Sequence, residues 1–134
     1  MDVTGGCFCG RVKYRISGKL KDPRSCHCSQ CRKAFNSQAS AYAIVEPSDF
    51  MWTSGEELLT TYTGEQGFGL QFCKVCGSTL CGTCKGTIHG VTLGCVDGSP
   101  ELDSVKHIYV GSKADWEVMP HGVQIFLEGE DVDA

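Results

Sequence analysis

The segment Cys26-His27-Cys28-Ser29-Gln30-Cys31-Arg32-Lys33 has the residue types and spacing of a metal site. In an extended C-x-C the two sulfurs face the same side, and the overlapping C-x-x-C turns the backbone so that a third sulfur joins them. Three thiolates can hold Zn²⁺ and leave the fourth tetrahedral position open, as catalytic zinc sites do. The same alternation turns His27 away from the metal, which favours a supporting role over ligation.

Four other cysteines form a second candidate site. Cys7 and Cys9 make a C-x-C between glycines, and Cys73 and Cys76 make a knuckle followed by Gly77, which can adopt positive φ. Four thiolates in a C-x-C and C-x-x-C arrangement form the closed set that is typical of structural zinc. Disulfides or inert buried thiols are the alternatives. As a metal site, the quartet would join the first strand to the middle of the chain and contribute to folding.

Three cysteines remain outside these sets. Cys81 and Cys84 form another C-x-x-C, which could be a redox pair, but no βαβ pattern or helix N-terminus accompanies it. Reduced residues near the knuckle are therefore favoured over a redox disulfide or a further ligand set with Cys73 and Cys76. Cys95 is predicted to be a core residue.

Length and cysteine usage limit the class of protein. A chain of 134 residues is most simply one domain over residues 1–134. Ten cysteines indicate disulfides in an oxidising compartment or metal ligands in a reducing one. The start of the chain has neither the basic nor the apolar region of a secretory signal, which favours metal ligation in the cytoplasm.

The distribution of charged and apolar residues argues against two partners, a nucleic acid and a membrane. The formal net charge is −4 and the twelve cationic residues are scattered, whereas a nucleic-acid surface needs clustered Lys and Arg. No stretch approaches the ~18 apolar residues of a membrane span. Arg11, Lys13 and Arg15 alternate with apolar residues, which predicts the solvated face of a half-buried strand.

Glycine-rich turns between short alternating runs predict a mostly β fold. A helical turn or two is expected from Ser29 to Asn36, and another near Pro47 with Ser48 as a possible cap. Strands are predicted over residues 12–16, 39–45, 58–63, 68–72, 88–94, 105–110 and 123–127, with a turn at Asp22-Pro23 and a frayed acidic end from Glu128.

Four motifs, in this order along nearly the whole chain, carry a resemblance to a known family. They are Gly6-Cys7-Phe8-Cys9-Gly10-Arg11-Val12-Lys13-Tyr14, Cys26-His27-Cys28-Ser29-Gln30-Cys31-Arg32-Lys33, Phe72-Cys73-Lys74-Val75-Cys76-Gly77-Ser78 and His107-Ile108-Tyr109-Val110-Gly111-Ser112-Lys113-Ala114-Asp115-Trp116. Together they resemble the glutathione-dependent formaldehyde-activating enzyme (GFA) family, also called the centromere-protein-V family.

The resemblance implies an Mss4-like fold of folded β-sheets with two zinc ions per chain. Carried over residue by residue, it implies a structural zinc at one cysteine set and a catalytic zinc at the other. The structural ligands would be Cys7, Cys9, Cys73 and Cys76, and the catalytic ligands Cys26, Cys28 and Cys31. The implied activity is that of a carbon-sulfur lyase that forms or cleaves S-hydroxymethylglutathione or a related glutathione–aldehyde adduct.

Glutathione and a small aldehyde are thus the expected partners. Arg32 and Lys33 are candidates for binding the glutathione carboxylates, although ordinary surface cations are nearly as good an interpretation. His107 and Trp116 are predicted to lie in the core, with contact to the ligand pocket as the alternative. The sequence leaves the oligomeric state open.

Two other functions stay open at this point. The chain could be a non-catalytic zinc module that binds glutathione or a protein, which a closed second site would favour. It could also be a thiol redox or metal-storage protein that uses Cys81 and Cys84.

Overall fold

The structure is a computed structural model, and it describes residues 2–129. These residues form two compact units. The first holds the chain up to Lys21 together with Ala43–Glu101, and the second holds Asp22–Tyr42 and the chain from Leu102 onward. The single domain inferred from chain length remains a prediction.

Ten strands and one α-helix occur within the described residues, with short 3₁₀ turns between some of them. The strands are β1 (Val3–Gly6), β2 (Lys13–Ile16), β3 (Lys21–Cys26), β4 (Ser40–Ile44), β5 (Phe50–Ser54), β6 (Leu59–Thr63), β7 (Phe68–Cys73), β8 (Thr79–Cys84), β9 (Thr87–Thr92) and β10 (Lys106–Ile108). The helix is α1 (Ser29–Phe35). The predicted mostly β fold is confirmed.

Antiparallel strands build the first unit. β1, β2 and β5 form a three-stranded sheet with β2 in the centre. β9, β8, β7 and β6 follow one another as antiparallel neighbours. Leu80, Val91 and the apolar face of β2 are almost fully buried. The predicted basic outer face of β2 is exposed, as its alternation requires.

Tyr14 is the largest side chain of this core, and it is 1% exposed. Its ring lies 5.1 Å from that of Phe50 and 6.1 Å, edge-on, from that of Trp52. The ring also passes directly over Gly5, where a Cβ atom would collide with the Tyr14 hydroxyl. Glycine is therefore required at position 5 because the Tyr14 side chain approaches the backbone there, and not because the chain turns.

The second unit brings together two segments that are distant in sequence. β3 lies between β4 and β10, and it pairs with β10 in parallel, with Ser25 opposite His107 and Cys26 opposite Ile108. Helix α1 follows β3 almost at once and ends at Asn36, whose φ of 54° is left-handed. This helix confirms the helical prediction for residues 29–36.

Three local predictions were wrong. Ser48 does not cap the 3₁₀ turn Pro47–Asp49, because the N-cap position is Glu46 and no side chain caps it. Asp22-Pro23 does not form the predicted turn, since the chain passes through Asp22 at a φ of 52° and stays within β3. Residues 123–127 form a single bridge, from Ile125 to His107, because β10 is only three residues long.

Two further observations concern the ends and the helices. The predicted frayed acidic end lies mostly outside the described residues, which stop at Gly129. None of the helices in residues 2–129 has the length and apolar character needed to cross a membrane.

Candidate metal centres

The first unit gathers four sulfur atoms. The Sγ atoms of Cys7, Cys9, Cys73 and Cys76 all lie within 4.8 Å of one another. The Cys7 and Cys9 sulfurs are 3.6 Å apart, and those of Cys9 and Cys73 are 3.9 Å apart. All four cysteines are free thiols, so the quartet is not a pair of disulfides.

Two tight turns place this quartet. Cys7 precedes a turn in which the Gly10 amide donates to the Cys7 carbonyl, and the Val12 amide donates to the Cys7 sulfur at 3.3 Å. The Cys73 carbonyl accepts from Gly77, whose φ of 79° is left-handed, as predicted for the knuckle. The backbone N–H of Arg11 lowers the pKa of the Cys9 thiol to about 6.

The second unit gathers three sulfur atoms. Those of Cys26, Cys28 and Cys31 lie within 4.8 Å of one another, and none is in a disulfide. No fourth Cys, His, Asp or Glu of residues 2–129 belongs to this cluster. The division of seven cysteines into four and three therefore matches the two predicted sets.

The junction between β3 and α1 positions this trio. Cys26 is the last residue of β3, Cys28 is the N-cap of α1, and Cys31 lies in the first turn of the helix. The Cys28 sulfur accepts a hydrogen bond from the Cys31 amide at 3.3 Å, as a capping side chain does. A strand and a helix start thus bring the three sulfurs together.

The thiols of the trio shift one another's pKa values. A hydrogen bond from Cys31 lowers the pKa of Cys26 to about 6, against the effect of burial, with smaller help from Cys28 and Arg24. The same hydrogen bond to Cys26 raises the pKa of Cys31. One thiolate therefore forms readily, whereas a second must form against burial and like charge. A bound dication would remove that penalty, so the donor set fits a metal ion.

Cationic and phenolic groups accompany Cys26 on its face of β3. Strand alternation places Arg24 on that face, and the parallel register adds Lys106 from β10. Asp22 joins the two cations, with its carboxylate 2.9 Å from Arg24 and 2.7 Å from Lys106. From β4, the Tyr42 hydroxyl hydrogen-bonds to Arg24 and interacts electrostatically with Cys26 and Cys31. We call this the sulfur face.

Imidazole groups occupy the opposite face of the same strand pair. His27 is fully buried, and its Nε2 lies 2.8 Å from Nδ1 of His107. Its Nδ1 lies 3.1 Å from Oε1 of Glu117, a close contact whose alignment falls outside that of a hydrogen bond. His27 is thus directed away from the sulfurs, as the alternation predicted. We call this the imidazole face.

The other predicted site residues have mixed placements. Arg32 and Lys33 lie on α1, one residue and two residues after Cys31. The Arg32 side chain is partly exposed, but its Nε is buried and has no hydrogen-bond partner within the described chain. Trp116 is 71% exposed, so its predicted core position was wrong. His107 is only half-buried, because its ring reaches from a short edge strand to His27.

The remaining cysteines do not form a redox pair in this structure. Cys81 and Cys84 are free thiols in β8, three residues apart and about 10 Å along an extended strand, which exceeds the reach of a disulfide. Burial raises the pKa of the Cys81 thiol to about 12, and this thiol donates to Gln71. Cys95 was predicted in the core but is half-buried, because it lies in the 3₁₀ turn Leu93–Cys95, where its thiol donates to the Thr79 carbonyl at 3.5 Å.

Comparison with known proteins assigns the family. The family described as glutathione-dependent formaldehyde-activating enzyme matches residues 2–112, which include both cysteine clusters. The chain belongs to this family. The GFA match ends before Glu117, so the contact between Glu117 and His27 lies beyond it.

Two relatives show the extent of the similarity. A protein of Halomonas elongata, named a putative glutathione-dependent formaldehyde-activating enzyme, is 31% identical over 87 residues. That match covers 60% of this chain and 55% of the relative, so the similarity spans about half the length of the Halomonas protein. A crystal structure of a Rhodobacter sphaeroides protein is 25% identical, with a TM-score of 0.57 over 92% of this chain and 98% of that one.

Sequence reasoning missed three residues that lie on the two faces of β3. Arg24, Tyr42 and Glu117 carry no motif of their own, and only the pairing of β3 with β4 and β10 brings the first two together. Alternation from Cys26 would have placed Arg24 on the sulfur face, had β3 been predicted. Nothing in the sequence indicated Glu117.

Proposed function

We propose that the protein forms and cleaves S-hydroxymethylglutathione, or a related glutathione–aldehyde adduct, at a zinc ion held by Cys26, Cys28 and Cys31. The observation that carries the proposal is the convergence of three free sulfurs without a fourth ligand from the described chain. Family membership supports the choice of glutathione and formaldehyde. Cys7, Cys9, Cys73 and Cys76 would hold a second, structural zinc.

The open position gives the trio its chemical role. Zinc there would lower the pKa of the glutathione thiol and hold its sulfur beside the aldehyde. In the forward reaction the S–C bond forms, the C=O π bond breaks, and the carbonyl oxygen takes up a proton. The thiol proton is released, so the reaction needs no other reactant.

Tyr42 is the donor that we propose for the carbonyl oxygen. Burial raises the pKa of its hydroxyl to about 12, so the group keeps its proton at neutral pH. Because the Arg24 guanidinium can only donate, the Tyr42 oxygen accepts that hydrogen bond, and the Tyr42 O–H is the proton that we propose for transfer. Cleavage of the adduct would use the same group in reverse.

Arg32 is the residue that we propose for a glutathione carboxylate. Its buried Nε lacks a partner within the described chain, and a guanidinium can bind a carboxylate through two parallel hydrogen bonds. Lys33 is exposed on the same short helix and would add an unspecific positive charge.

Exchange spectroscopy tests the proposed reaction. NMR measures the exchange between formaldehyde, glutathione and their adduct, and the spontaneous rate without protein is subtracted. We expect the zinc-loaded protein to accelerate the exchange and Cys28→Ser to abolish the acceleration. Cys84→Ser, a half-buried thiol outside both clusters, is the matched control and should behave as wild type.

A zinc-loaded protein that binds glutathione without accelerating the exchange would contradict the enzymatic proposal. That result would instead indicate the binding module considered above. Loss of acceleration in both Cys28→Ser and Cys84→Ser would also count against a specific role of the trio.

A further inference from the structure

The imidazole face contains buried polar groups that the proposed reaction does not use. His27 lies between two of the three proposed ligands, yet its side chain is directed away from them and is 1% exposed. Burying an imidazole is costly unless its nitrogens have partners. Here Nε2 has a partner in His107, 80 residues away in sequence, and Nδ1 has the close contact with Glu117 but no hydrogen bond within the described chain. A buried pairing of two histidines this far apart in sequence indicates a specific role for them.

Strand β10 and the turn that ends at Glu117 contact His27 from different sides. Its backbone amide donates to the Ile108 carbonyl of β10 at 2.9 Å, and its Nε2 pairs with Nδ1 of His107 at 2.8 Å. Its Nδ1 faces the carboxylate of Glu117, which is largely buried at 14% exposure. Backbone and ring are thus fixed together, so the residue has little freedom to rotate.

Local contacts also fix the position of Glu117. The Glu117 amide donates to the Ala114 carbonyl at 3.1 Å, and the Lys113 ammonium donates to the Glu117 carbonyl at 3.0 Å. Ala114 itself is 2% exposed. The turn over residues 113–117 is therefore anchored in the second unit and directs the carboxylate toward His27.

Fixing His27 fixes the two neighbouring sulfurs. Cys26 and Cys28 flank His27, so their Cα–Cβ bonds are directed to the other face of the chain once the His27 backbone is set. Movement of His27 would shift the Cys26 sulfur relative to Cys31 and would strain the cap that joins the Cys28 sulfur to the Cys31 amide. The convergence of the trio thus depends on the imidazole face.

We infer that His107 and Glu117 are positioning residues, which hold His27 so that Cys26 and Cys28 are already in ligand geometry before a metal ion binds. This inference rests on the proposed metal site but not on the proposed reaction. Groups that orient metal ligands from behind typically change metal affinity 10- to 100-fold when they are mutated. The four-cysteine cluster is built from residues of the first unit, and its metal affinity serves as the internal reference in the test.

Cobalt titration with a competing chelator tests the inference, because thiolate-to-cobalt absorption reports each cluster without any activity measurement. The full chain is used, with Cys26→Ser and Cys76→Ser variants to assign the two spectra. We expect His107→Phe, which keeps a ring but removes both nitrogens, to weaken cobalt binding at the trio at least 10-fold. Binding at the quartet should stay within 2-fold of wild type.

Conservative variants separate positioning from simple packing. Asn can place an amide nitrogen where Nδ1 of His107 lies, so His107→Asn should recover much of the affinity that His107→Phe loses. Glu117→Ala should weaken the trio, and Glu117→Gln, which keeps the shape and one acceptor oxygen, should weaken it less. His121→Gln, an exposed histidine of the same unit, is the matched control and should change nothing.

Two results would overturn the inference. One is wild-type cobalt affinity at the trio in both His107→Phe and Glu117→Ala. The other is an equal loss at both clusters, which would indicate general destabilisation. If His107→Phe does not fold, Glu117→Ala against Glu117→Gln decides the matter. Normal cobalt results with no aldehyde exchange would contradict the proposed reaction and leave the inference intact.

Discussion

Single side chains define what this site can do, and Tyr42 shows this most directly. Its hydroxyl joins the sulfur face through Arg24, and burial keeps its proton on the oxygen at neutral pH. A group of this kind typically contributes ~100-fold or more as a general acid. Mutation can therefore test the proposed proton donor separately from the proposed metal ligands.

We predict that Tyr42→Phe lowers the catalysed exchange rate about 100-fold while leaving both metal ions bound. Exchange NMR gives the rate, and cobalt absorption checks that the trio is intact. Tyr62→Phe, which alters a 63%-exposed tyrosine of β6, serves as the control and should keep the full rate. An unchanged rate in Tyr42→Phe would rule this hydroxyl out.

Gly5 provides a second test at the residue scale. We predict that Gly5→Ala destabilises the protein by roughly 1–3 kcal/mol, because its Cβ would collide with the buried Tyr14 hydroxyl and the Cys95 carbonyl. Urea unfolding followed by circular dichroism measures the change. Gly94→Ala is the matched control, since nothing lies within 4 Å of a Cβ there and its φ is ordinary. Equal stabilities of the two variants would contradict this close approach.

At the scale of elements, the pairing of β3 with β10 decides which groups meet. The two strands present cations beside the sulfurs on one face and imidazoles on the other. Asp22 connects them on the sulfur face through Arg24 and Lys106. The hydrogen bond from Lys106 is the main cause that lowers the pKa of this carboxyl.

We predict that Asp22→Asn costs about 1 kcal/mol or less at pH 7, since the carboxylate is half-exposed and Asn tolerates the same left-handed φ. A lowered carboxyl pKa stabilises the folded state above the unfolded pKa of about 3.9, and this contribution is lost as pH falls through the folded value. The difference between wild type and Asp22→Asn should therefore shrink below pH 4. Urea titrations at pH 7 and pH 3 measure it, and a gap that grows in acid would contradict the assignment.

The sequence predicted the elements of the site better than their pairing. Alternation correctly placed β2 and β7, and the residues of the runs themselves correctly placed β4 and β6, because each run carries its own local signal. β3 was missed because Asp22-Pro23 resembles a turn, whereas the chain passes through Asp22 with a left-handed φ and continues as a strand. Ligand spacing identified both cysteine sets, since the sulfurs that converge are close in sequence within each motif. The contacts of His27 depend on a parallel pairing that no local pattern encodes.

For the molecule as a whole, the two clusters should differ in how they hold metal. The quartet would surround an ion completely with sulfur, whereas the trio would leave one position to solvent or substrate. The quartet also connects the turn between β1 and β2 to the knuckle after β7, so a bound ion would contribute to the folding of the first unit.

We predict that a chelator removes the ion of the trio first and that its loss leaves the fold largely intact. Metal content by mass spectrometry and circular dichroism, followed together during stepwise chelation, test this order. Cys26→Ser should remain folded with one ion per chain, and Cys76→Ser should lose several degrees or more of thermal stability. A Cys76→Ser variant that folds normally without metal would show that the quartet is not structural.

The parallel pairing of β3 with β10 also has a consequence for the nascent chain during synthesis. Cys26, Cys28 and Cys31 leave the ribosome long before His107, which follows His27 by 80 residues. At 5–20 residues per second this delay is about 4–16 s. During that time His27 lacks its contact with His107, so the three thiols are not yet held in ligand geometry. Oxidants or a non-native metal ion can then react with them. The three-cysteine cluster is therefore more vulnerable to oxidation or mismetallation during translation than in the folded protein.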